Sequence, residues 1–72
     1  MKLLIFRTDI KSKKKVKSLK PPFNKHKAII KWSIDLEDID NVLRIEATSN
    51  SSAKDIVDLV NRKGFYIKAL PD

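Results

Sequence analysis

The chain contains no cysteine, one glycine, one histidine, and nowhere a long uninterrupted apolar run. Without cysteine there is no disulfide, no thiolate metal site and no thiol nucleophile, although the absence fixes no cellular address. A single glycine excludes the glycine-rich loops that cradle nucleotide phosphates. One histidine cannot make a transition-metal site of the ordinary type. With only scattered serines around it, it also cannot assemble a nucleophile, a base and an orienting third group. No enzyme is read here. The N-terminus offers Leu3-Leu4-Ile5-Phe6 and is then stopped by Arg7, Thr8 and Asp9. A signal sequence needs about 7–15 apolar residues and a membrane span about 20. The expectation is a soluble, cytoplasmic protein with no membrane contact.

What is present is enough for one core. Seventy-two residues with 42% hydrophobic side chains, spread along the whole chain, fit a single domain over residues 1–72 and are too apolar for disorder. The 35% of charged residues are distributed unevenly. Residues 1–31 hold eleven Lys/Arg against one acid, whereas residues 32–72 hold five against eight. The basic half draws polyanions or acidic protein surfaces; a solvated lysine face that only aids solubility is the plainer reading of the same residues.

Hydrophobic periodicity gives six elements. Residues 3–10 alternate, with Leu4, Phe6, Thr8 and Ile10 on one face, and form a first strand. Ser12 then caps a helix whose apolar stripe is Val16, Leu19, Phe23 and His26. Pro21-Pro22 removes two backbone donors and predicts a break near Lys20, with a second short helical piece opening at the prolines. Residues 28–36 form a second strand, with Ile30, Trp32, Ile34 and Leu36 inward, and residues 42–47 a third, with Leu43, Ile45 and Ala47 inward. The acidic turn between them makes the pair a hairpin. Ser52 and Asp55 have capping-box spacing ahead of a helical face of Ala53, Ile56, Val57 and Val60; Gly64 is placed to end that helix. Residues 65–70 alternate as a fourth strand closed by Pro71. The order strand, helix, strand, strand, helix, strand with right-handed crossovers is an α+β, ferredoxin-like βαββαβ open-faced sandwich, a four-stranded antiparallel sheet with two helices on one face.

The segments Phe6-Arg7-Thr8-Asp9-Ile10-Lys11-Ser12-Lys13-Lys14-Lys15-Val16, Trp32-Ser33-Ile34-Asp35-Leu36, Leu43-Arg44-Ile45-Glu46 and Lys63-Gly64-Phe65 together resemble the heavy-metal-associated domain family, the small βαββαβ modules of copper chaperones and P-type metal ATPases. In that family a Met, one further residue and then Cys-x-x-Cys bind soft ions such as Cu(I) at the first loop. Here Ile10 falls at the Met position, and Ser12 and Lys15 fall at the two Cys positions. Soft ions select sulfur ligands, and Lys15 puts an ammonium where the ion would sit, so metal binding is not expected to carry over and no cofactor is expected. What the resemblance implies is the fold, an apolar role for Ile10 and Phe65 beneath the loop, and docking to other small domains through the surface around it.

The candidate site is therefore the loop and first helical turn: Lys11, Ser12, Lys13, Lys14 and Lys15. Lysines at a helix N-terminus oppose the helix dipole, and an anion there would relieve the conflict. The expected ligand is an acidic protein partner; the alternative is a polyanion, either phosphate or nucleic acid, and residual metal binding or transport as in the parent family ranks below both. Base stacking on the open sheet needs outward aromatics, and only Tyr66 has that parity, since Phe6, Trp32 and Phe65 face the core. The carboxylates Asp35, Glu37, Asp38 and Asp40 lack the Gly and terminal Glu of a calcium loop and read as a polar turn. Their acidity allows a salt-sensitive contact with the lysine helix of another copy, so a monomer or weak self-association is expected.

Overall fold

The computed structural model describes residues 2–70. The elements are β1 (Lys2–Thr8), α1 (Lys13–Lys25), β2 (Ile29–Ile34), β3 (Leu43–Ala47), α2 (Ala53–Arg62) and β4 (Ile67–Ala69). Pro71, read as the stop of the last strand, lies outside the described residues. All pairings are antiparallel in the order β2-β3-β1-β4, so each βαβ crossover spans one intervening strand and the two units interleave. This is the ferredoxin-like sandwich the sequence implies.

Alternation decides the layers. On β1 and β3 the inward residues Phe6, Leu43, Ile45 and Ala47 are fully buried, and they meet Leu19 and Phe23 of α1 and Ile56 and Val60 of α2. Phe23 and Trp32 pack edge to face with ring centroids 4.9 Å apart, joining α1 to β2. Ile10 lies past the end of β1 but is fully buried, and Phe65 packs partly buried against the same core. Tyr66 points outward. His26 is half-buried at the C-cap of α1, where its Nδ1 accepts from the Ala28 amide at 3.2 Å.

The structure corrects three local expectations. First, α1 runs through Pro21 and Pro22 as one helix. The carbonyls that the prolines leave without donors belong to Lys17 and Ser18, both exposed residues on the side open to solvent. Leu19 and Phe23, buried on either side of the prolines, hold both turns against the sheet. Second, the inward residue at the start of β2 is Ile29, because a register shift between Ile29 and Lys31 turns Ile30 outward. Third, the Ser52 hydroxyl caps α2 by accepting from the Lys54 amide at 3.2 Å, one residue short of the Asp55 amide that a capping box would use. Gly64 ends α2 at φ +89°, with its amide donating to Asn61 at 2.9 Å.

Candidate functional site: the lysine loop and the start of the first helix

The loop between β1 and α1 is pinned from three sides. Thr8 is buried; its hydroxyl donates to the Asn41 carbonyl at 2.7 Å and accepts from the Ile10 amide at 3.2 Å. Asp9 is tied to the approach to β4 by two bonds, its amide donating to the Tyr66 carbonyl at 3.3 Å and its carboxylate accepting from the Tyr66 amide at 2.9 Å. Ile10 plugs the core beneath, so Lys11 is left exposed at the crest. Ser12 is half-buried and caps the helix: its hydroxyl accepts from the Lys15 amide at 3.3 Å and its carbonyl from the Val16 amide at 3.1 Å. Ser12 and Lys15 thus sit together across one helical turn.

Lys13, Lys14 and Lys15 are exposed, and the first turn of α1 holds no acid. Among the described residues the one ion pair is Arg7 to Asp40, at 2.9 Å, so none of these lysines is paired with an acid among those residues. The five candidate residues, from Lys11 to Lys15, run consecutively through the loop, the cap and the first turn of α1, with the four lysines exposed and Ser12 half-buried. They form a patch of positive charge at the positive end of a helix dipole, which favours an acidic ligand.

One feature beside the patch escaped the sequence reading. A groove of ≈ 200 Å³ runs between α1 and the end of β2, with Val16, Ile34 and Leu36 as apolar walls and Lys13, Lys17 and Lys20 around it. Lys13, Lys17 and Lys20 are spaced four and then three residues apart, which places them along one side of α1. Among the described residues no three His, Asp or Glu side chains converge as a metal ion would require. No described helix is long and apolar enough to cross a membrane.

No protein-family model matches the chain, and no curated protein matches it by sequence. A solved structure does: the chain is similar to a protein described as CsoZ metallochaperone, with a TM-score of 0.77 over 93% of this chain and 96% of that one, at 15% sequence identity. At that identity the shared property is the fold alone.

Proposed function

We propose that this protein is a non-catalytic interaction module of one domain, built on a metallochaperone fold, that docks an acidic protein partner through Lys11, Ser12, Lys13, Lys14 and Lys15. The observation that carries the reading is the set of exposed lysines at the start of α1, with no acid in the first turn and none of them in an ion pair among the described residues. Folding gains nothing from that arrangement, because like charges at a positive helix end oppose the dipole. A carboxylate-rich surface would stabilise it. The apolar groove next to the patch supplies what a bare polyanion site lacks, a contact that survives salt.

Metal is not the cargo in this reading. The metallochaperone it resembles handles metal by name. In this chain, Ser12 and Lys15 offer a hydroxyl already engaged as a cap and an ammonium, neither of which holds a soft cation. No cofactor is needed.

Amide chemical shifts test the proposal in three arms: an acidic peptide with interspersed leucines, inorganic phosphate, and a short single-stranded oligonucleotide. The peptide should move the amides of residues 11–17 and keep part of its affinity at physiological salt. Phosphate or oligonucleotide binding that falls steeply with salt, without a peptide effect, would establish the polyanion alternative instead. No shift at residues 11–16 in low salt by any probe rejects the site. Replacing Ser12 and Lys15 together by Cys should create tight Cu(I) binding; a double variant that binds none would separate this loop from the family's metal loop.

A further inference from the structure

Ile39 is 95% exposed, the most exposed large apolar side chain among the described residues. It stands at the tip of the turn between β2 and β3, with Glu37, Asp38 and Asp40 around it. A loose loop would fold such a side chain back onto the protein, but this turn is braced. The Asp35 carboxylate accepts from the Glu37 amide at 3.0 Å and the Asp38 carboxylate from the Asp40 amide at 2.8 Å. Asn41, buried and left-handed at φ 43°, donates its amide to the Asp38 carbonyl at 3.0 Å. Thr8 then ties the far side of the turn to β1, its amide donating to Asp40 at 3.1 Å and its hydroxyl to Asn41 at 2.7 Å. The result is a braced backbone that presents an apolar knob flanked by the carboxylates of Glu37 and Asp38, while Asp40 is already paired with Arg7 at 2.9 Å.

The same chain carries the complement. The groove of Val16, Ile34 and Leu36 is apolar where the knob is apolar, and its rim of Lys13, Lys17 and Lys20 is basic where the knob's flanks are acidic. Leu36 lines the groove and lies three residues before Ile39, so knob and groove are neighbours on one edge of the fold. Neighbouring, complementary and different patches are what a two-fold axis can satisfy twice over. We propose that a second copy of this chain seats its Ile39 in the groove, and receives the first copy's Ile39 in its own, forming a closed, reciprocal dimer. The contact is small, in the class of transient interfaces, and the dissociation constant should be on the order of 100 µM.

The second copy and the foreign acidic partner would compete for the groove and share Lys13, so the two readings are separated outside it. Lys11 and Lys14 lie outside the groove, and reversing their charge reads the partner surface while leaving the knob and its seat intact. The test is sedimentation equilibrium of the full chain, with amide shifts followed on dilution. The wild type should approach twice its monomer mass at about ten times the expected dissociation constant, and amides near Ile39 and near Val16 and Ile34 should shift together. Ile39→Asp and Lys17→Glu should each weaken association at least tenfold. Ile39→Asp should keep the thermal midpoint of dilute protein, since the side chain is exposed in the monomer. A wild type that stays monomeric at millimolar concentration in low salt overturns the proposal. So does an Ile39→Asp chain that dimerises like the parent, or a monomer whose groove amides respond only to an added foreign peptide.

Discussion

The two helices lie on the same face of the same sheet, and they are built by different rules. α2 follows every local preference: Ser52 caps it, Asp55 sits in its first turn, Arg62 in its last, and Gly64 stops it. α1 has a serine cap too, but it carries lysines in place of acids at its start and two prolines in its interior. Its attachment to the fold rests on a narrow stripe, Leu19 and Phe23, with Val16 half-buried beside them. Local chemistry therefore favours α2 and opposes α1, so α1 depends the more heavily on packing. Tertiary packing holds α1 in place, and its outer surface is free to carry charge of one sign.

The sharpest way to break this comparison is to remove the stripe. Phe23→Ala deletes a fully buried ring and its contact with Trp32, which should cost about 3–5 kcal/mol. A small cysteine-free core supplies only about that much, so the variant should be largely unfolded at room temperature. The counterpart in α2, Ile56→Ala, should cost about 2–4 kcal/mol, less because fewer atoms are lost. Urea titration followed by Trp32 fluorescence reads both. If Phe23→Ala is the milder of the two, packing is not what holds α1.

Pro21→Ala tests the other half of the contrast. The side chain is exposed, so its replacement loses little packing, restores a donor for the Lys17 carbonyl and relieves the ring's clash with it. Stability should rise by about 1–3 kcal/mol, part of the gain being offset by the freer unfolded chain. A loss of stability would mean that the proline shapes the helix rather than merely being tolerated. The smallest effect concerns charge: Lys14→Glu should stabilise by a few tenths of a kcal/mol, and Asp55→Lys should destabilise by a similar amount. Both effects should shrink as salt is added. Thermal midpoints at two salt concentrations give the signs, and equal signs would show that the dipole does not distinguish the helices.

The layers of the fold were readable because alternation on β1 and β3 is nearly free of exceptions, and because Ser12, Ser52 and Gly64 mark helix ends by local chemistry. What could not be read depends on distant partners. Ile29 and Ile30 are the same residue type, and only the pairing of β2 with β3 decides which of them faces inward. The prolines argued for a break by a local rule that exposure to solvent on one side and packing on the buried side overrule together. At the candidate site, the run from Lys11 to Lys15 was visible as charge. The groove beside it was not, since it exists only where α1 meets the end of β2. Likewise, nothing local announced that Thr8 would reach 33 residues along the chain to Asn41 and stiffen the acidic turn.

The irregular pairing at Ile29 and Lys31 also bears on the solubility of the sheet. β2 is an outermost strand, and a flat apolar sequence such as Ile29-Ile30 would offer its unused amides and carbonyls to any passing chain. The extra residue bends this border out of register, and Lys31 follows it at once with a charge. A foreign strand laid along it would meet a kink and an ammonium, both of which disfavour edge-to-edge pairing.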